Sequence, residues 1–231
     1  MNEAILRECA AVIGHEFGDL SLLRHALTHS SYSAEHDAET SNERLEFLGD
    51  AVIGLVLADE MFRRHAEFDE GLLTDLRKSV VNAQTLAVAA RRLGLGKFVR
   101  LGRGESTSGG SEKTSILANA FEAVIGAVYL DAGIAVAFDL SLRLLEPEIA
   151  GAVPGLRHLD PKTQLQELTA ELELGSPTYV LEDEGPDHDK TFFAEVMIAG
   201  RRRGSGSGRT KKSAEQQAAA EAIDSLRAHG G

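Results

Sequence analysis

The sequence predicts two domains of different fold class: a nearly all-helical domain over residues 1–150, and a smaller α+β domain, ordered α-β-β-β-α, over residues 160–229. Three observations carry this. Apolar residues recur near a 3.6-residue period through the first 150 positions, and strand-like alternation is absent there. Residues 151–159, Gly-Ala-Val-Pro-Gly-Leu-Arg-His-Leu, combine Pro154 with two glycines, the composition of a linker. Beyond it, residues 178–184 and 191–198 alternate with period two.

In chain order, the helical periodicity covers residues 5–13, 20–27, 45–62, 72–93, 114–130 and 135–145, several preceded by Asp, Ser or Thr as helix starts should be. Residues 102–112 are polar and glycine-rich and read as a loop, mobile until something binds it. In the second domain, 162–174 reads as a helix and the two strands are joined by Gly185-Pro-Asp-His-Asp. Residues 201–207 are a third strand candidate, although Arg201-Arg-Arg203 itself reads as a turn. Residues 211–228 form an alanine-rich helix. Of Phe192 and Phe193, one is expected in the core.

The 231 residues are 43% hydrophobic, enough for real cores, and hold a single cysteine, Cys9. No intramolecular disulfide is possible, which fits a reducing compartment. The N-terminus lacks a basic segment followed by an apolar one, so no secretory signal is expected. No apolar run is expected to reach the roughly 18 residues of a membrane span. The expected location is the cytoplasm. The net charge of −12 splits into −4 over residues 160–231 and −8 over the rest. A nucleic-acid partner therefore requires locally concentrated bases.

Residues 42–50, Asn-Glu-Arg-Leu-Glu-Phe-Leu-Gly-Asp, place Glu43, Glu46 and Asp50 at spacings that stack on one helix face. At about 100° per residue, Glu43 and Asp50 are roughly 20° apart, with Glu46 roughly 40° beyond. Around them the segment is apolar, and a carboxylate in such a setting must be paired, protonated or bound to a cation. Clustered acids with little nearby base suggest a hard divalent metal. Glu122 interrupts a second apolar helix, with Asn119 three residues before it. The competing assignment for these acids is salt bridges to Arg44, Arg77 or Lys113. Glu43 also fits a capping box with Thr40-Ser-Asn, and Glu70 fits a first-turn acid favoured by the helix dipole. His25 and His29, four apart, could share a helix face as zinc ligands. His36-Asp37 is a dipeptide used by helical phosphohydrolases, but it sits in a polar loop. Lys211 and Lys212 fall at a helix N-terminus, where cations oppose the dipole until an anion binds.

The nonapeptide closely resembles the signature of the ribonuclease III family, and the resemblance runs over essentially the whole chain. It implies an all-α ribonuclease III endonuclease and dimerisation domain, followed by a double-stranded-RNA-binding domain. It implies magnesium, with manganese as a substitute, and no organic cofactor. Glu46, Asp50 and Glu122 would be metal ligands, with Asn119 at a fourth position that is most often aspartate; Asp50 and Glu122 would be catalytic. Glu43 and Glu70 would support the acidic cleft, and the surroundings of His25 and His29 match a structural element. Metal-activated water would cut double-stranded RNA to 5′-phosphate and 3′-hydroxyl ends, as in processing of ribosomal RNA and other transcripts. Phe47, otherwise an ordinary core aromatic, would insert into the partner of a homodimer. Thr163, Gln166 and Glu167 would read one minor groove, His188 the next, and Lys211 and Lys212 the phosphates between. The rival functions are a weakened RNA-binding protein, suggested by Asn119, and a nucleotide phosphohydrolase.

Overall fold

A computed structural model describes residues 2–37, 39–66, 68–157, 161–186 and 189–229, with backbone only for 153–157 and 229. The chain divides into two compact units, Met1–Val153 and Pro154–Gly231. Among the described residues the first holds no strand longer than one bridge, Thr28 to Arg100.

Its first helix is α1 (Glu3–Ile13), capped by the Asn2 side chain, which accepts the Ile5 N–H at 3.0 Å. Next come α2 (Leu20–Ala26), α3 (Ser30–Ser33) and the 22-residue α4 (Glu43–Arg64). The periodic stretch 72–93 is not one helix. It splits into α5 (Glu70–Val80) and α6 (Ala83–Arg92), because Asn82 turns its side chain to cap the second, accepting from Thr85 N at 3.0 Å.

The glycine-rich segment 102–112 is also not an open loop. It contains α7 (Arg103–Thr107) and a 3-10 turn, Gly110–Glu112. It is tied down by Gly102 N donating to Ser31 Oγ at 3.0 Å and Arg103 N to Glu35 Oε1 at 2.9 Å.

The helix α8 runs Thr114–Arg157, past the first unit's last residue Val153, with one break at Gly133, whose φ of 81° no other residue type adopts cheaply. It continues through the first seven residues of the expected linker 151–159; Pro154 removes one N–H donor without ending it. The remainder of that linker, 158 and 159, lies outside the described residues. By length and hydropathy alone α8 could cross a membrane over Thr114–Ala152, contrary to the sequence expectation. Its first half is core, with Ala118, Ala120, Phe121, Ala123 through Ile125, Ala127 and Val128 all buried, whereas Leu130, Ile134 and Val136 farther along are exposed.

The second unit opens with α9 (Pro161–Glu171). An antiparallel meander follows, β1 (Thr178–Glu184), β2 (Thr191–Ile198) and β3 (Arg201–Gly208), and then α10 (Lys211–His229). Arg201–Arg203 are strand residues. The turn lies before them, at Ala199 and Gly200, both with positive φ. Phe192 packs against the core, whereas Phe193 is exposed. The core joins Leu165 of α9, Ala194, Val196 and Ile198 of β2, and the alanines of α10. Gly204 and Gly206 let β3 approach α10 so closely that a Cβ on either would collide with the carbonyl oxygen of Ala218 or Ala214.

Candidate active site and nucleic-acid interface

Two glycines set the acidic site. A Cβ at Gly49 of α4 would collide with the carbonyl oxygen of Glu122, and one at Gly126 of α8 with that of Leu45. Each glycine lies against the other helix, so the two backbones touch. Glu46 and Asp50 flank Gly49; Asn119 and Glu122 precede Gly126 by two turns and one. This close crossing brings Glu46, Asp50, Asn119 and Glu122 near enough to influence one another. Sequence reasoning passed over both glycines, although glycine inside a helix costs about 1 kcal/mol against alanine and asks for a reason.

The electrostatics record the encounter. Burial pushes the Glu122 carboxyl up to about 7, reinforced by the charges of Asp50 and Glu46. Burial also raises Glu46, with help from Glu43 and Asp50, while the Asn119 amide donates to Glu46 and works against the rise. Among the described residues no lysine or arginine offsets Glu46 or Glu122, and of the sequence candidates Lys113 is taken by Glu105 at 2.5 Å. The salt-bridge alternative is therefore not what the structure shows. Nor do three His, Cys, Asp or Glu side chains already form a metal cage among the described residues. The acids share a field without yet closing on a common point.

The remaining sequence candidates are distributed around this crossing. Glu43 is exposed on the first turn of α4 and accepts from Ser41 Oγ at 2.7 Å. The capping box is absent, since Asn42 is the N-cap, makes no cap bond, and instead donates to the Ala26 carbonyl at 3.0 Å. Glu70 lies on the first turn of α5, bonded by Thr74, at the edge of a groove of about 430 Å³ lined by Met61, Phe62, Phe68 and Leu73. His25 is engaged by the Ser41 carbonyl at 2.8 Å, and His29 caps α3, so neither is placed as a zinc ligand. Phe47 projects outward, 79% exposed, and is no core aromatic of this chain.

In the second unit, Thr163, Gln166 and Glu167 share the face of α9 opposite the buried Leu165 and Thr169. Thr210 caps α10, its hydroxyl accepting from Ser213 N at 3.1 Å. Lys211 and Lys212 form the first turn, Lys211 exposed with its ammonium 5.9 Å from the Phe192 ring centre. His188 lies outside the described residues.

Known proteins match both units of the chain. Residues 19–148 match the family described as Ribonuclease-III-like, and 161–226 match the double-stranded RNA binding motif. Ribonuclease 3 of Thermobifida fusca is 52% identical over 228 residues, covering 99% of this chain and 95% of that protein. Ribonuclease 3 of Streptomyces coelicolor is 52% identical, covering 94% and 78%. Among solved structures, the nuclease domain of Campylobacter jejuni ribonuclease III superposes with a TM-score of 0.59 at 43% identity, covering 62% of this chain and 97% of that one. The chain belongs to the ribonuclease III family and is an endoribonuclease carrying a double-stranded-RNA-binding domain.

Proposed function

We propose that the protein hydrolyses double-stranded RNA at the α4–α8 crossing with magnesium, which manganese can replace, in the processing of ribosomal RNA and other transcripts. The observation that carries this reading is the set of converging carboxylates with no cation among the described residues to balance them. Their donors are all oxygen, the set a hard divalent ion prefers. Glu46, Asp50, Glu122 and Asn119 would hold it, and Asn119 contributes an oxygen without charge. When bound, the metal activates water and neutralises phosphate charge, giving 5′-phosphate and 3′-hydroxyl ends. The chain's own part is to keep the helix backbones fixed through Gly49 and Gly126, so that only side chains need turn to close the cage. Glu122 must release the proton it holds near neutral pH before it can take part. Asp50 and Glu122 are the catalytic residues, with Glu43 and Glu70 adding negative potential.

Cutting both strands asks for two such sites. Phe47 lies about 60° from Asp50 around α4, and Leu55 and Phe62 extend an exposed apolar stripe from it. Such a stripe fits a second copy of the chain, with Phe47 entering the groove beside Glu70. A region involved in dimer formation is described for the Campylobacter jejuni nuclease domain, which supports the same arrangement here. The second unit holds the duplex through α9, the segment containing His188, and the lysines of α10. The absence of cysteine pairs accords with action in the cytoplasm.

Asn119 favours one rival, an RNA-binding protein with little nuclease activity. Incubating the protein with labelled duplex and magnesium decides between them. The wild type cuts, whereas Glu122→Gln cuts at least about a hundredfold more slowly, more than loss of an outer-shell partner gives, and binds duplex as before. Full turnover by Glu122→Gln would remove Glu122 from the site.

A further inference from the structure

His36 takes no part in the acidic site. Its ring lies parallel to Tyr32, with centres 3.9 Å apart and planes 2° apart, and its Nδ1 donates to the Tyr32 carbonyl at 2.9 Å. Tyr32 is in turn held from below: the Arg100 guanidinium sits 4.1 Å from its ring centre. Arg100 is buried and locked by two bonds to Glu39, at 2.7 and 2.8 Å, and one to Thr28 at 3.1 Å. The result is a pile of planar groups whose last member, His36, is exposed.

His36 and Tyr32 line a polar cavity of about 730 Å³ together with Glu35, Leu101 and Arg103, a size suited to a small organic ligand, roughly 300–1,000 Å³. Arg103 is exposed, and among the described residues its guanidinium has no partner; its backbone N–H donates to Glu35 Oε1 at 2.9 Å and its carbonyl accepts from Thr107 Oγ1 at 2.7 Å. The second Glu35 oxygen remains an acceptor. A flat ring face, an unpaired guanidinium and a carboxylate acceptor together match a nucleotide. The base stacks, the phosphate meets the cation, and an amino group or ribose hydroxyl meets Glu35.

We propose that the Tyr32–His36–Arg103 pocket is a second RNA-binding site, taking one unpaired nucleotide next to the duplex. The inference rests on the RNA-cleaving reading above. Bases inside a duplex have both faces covered by their neighbours, so only an unpaired nucleotide has a face to offer His36. The pocket is tied to both site helices: Glu39, which anchors Arg100, is four residues before Glu43 of α4, and Arg103 is eleven before Thr114 of α8.

The test is fluorescence anisotropy with the full chain in EDTA, using one duplex either blunt or carrying a two-nucleotide single-stranded tail. The wild type should prefer the tailed duplex by about fivefold to tenfold, the order of a single stacked base. His36→Ala and Arg103→Ala should lose the preference while binding and cutting blunt duplex normally, and His36→Phe should keep it. Equal wild-type affinities with cutting intact would overturn this site alone, as would an unchanged preference in His36→Ala and Arg103→Ala. A wild type unable to cut blunt duplex in magnesium would overturn the acidic-site reading and this one with it.

Discussion

The two units use the same device to opposite ends. In the first, Gly49 and Gly126 press α4 against α8, and what the contact brings together is carboxylate. In the second, Gly204 and Gly206 press β3 against α10, and what meets there is alanine: Ala214, Ala218 and Ala222. Close packing in the second unit gains dispersion contacts and leaves a clean helix N-terminus with lysines outside it. In the first, it gathers like charges in a partly dry place and works against folding until a cation arrives. Tight backbone contact thus serves stability in one unit and chemistry in the other.

Replacing the glycines separates the two uses most sharply. Gly49→Ala forces α4 off the Glu122 carbonyl and should cost about 3 kcal/mol, the upper part of the range for overpacking. Its cleavage rate should fall by about a hundredfold, because a displacement near 1 Å is enough for that. Gly206→Ala should destabilise the second unit by a similar amount and weaken duplex binding, leaving the acidic crossing intact. Urea melts paired with cleavage and binding assays check both, and equal losses of cleavage chemistry at saturating RNA would erase the distinction.

A smaller effect belongs to the lysines. Changing Lys211 and Lys212 together to alanine should weaken duplex binding by about tenfold. It should also lower the slope of log affinity against log salt by about two, one for each lost phosphate contact. Duplexes of unrelated sequence should show the same loss.

The smallest effect is in metal-free stability. Glu122 holds its proton more tightly when folded, up to about 7, than its ordinary 4.5. The folded state therefore binds more protons between those values, and stability should fall as pH rises through that window, then level off. Urea melts in EDTA at pH 5 and pH 8 should show the wild type losing on the order of 1 kcal/mol more than Glu122→Gln, after allowance for solvent screening. Magnesium should reverse the trend, since it competes with that proton.

The division into a helical unit and an α-β-β-β-α unit was legible because periods of 3.6 and 2 are properties of neighbouring residues. The acids were legible for a similar reason: Glu46, Asp50 and Glu122 are conspicuous in apolar surroundings. Elements decided by a single side chain were harder. Asn82 cutting 72–93 in two, and Ser31 and Glu35 holding 102–112 in place, act through specific hydrogen bonds that composition does not reveal. Pro154 and its glycines signalled a boundary, and the two units do divide at Val153 and Pro154, but the helix α8 runs on past that point. Most telling are Gly49 and Gly126, whose role exists only once two distant helices cross.

Manganese titration of the metal-free protein, followed by electron paramagnetic resonance at pH 8, reaches the central claim most directly. The uncompensated oxygens of Glu46, Asp50 and Glu122 should bind the ion without RNA, and Glu46→Gln, Asp50→Asn and Glu122→Gln should each weaken binding by at least about tenfold. Binding unchanged by all three substitutions would contradict the assignment of these carboxylates as the metal site.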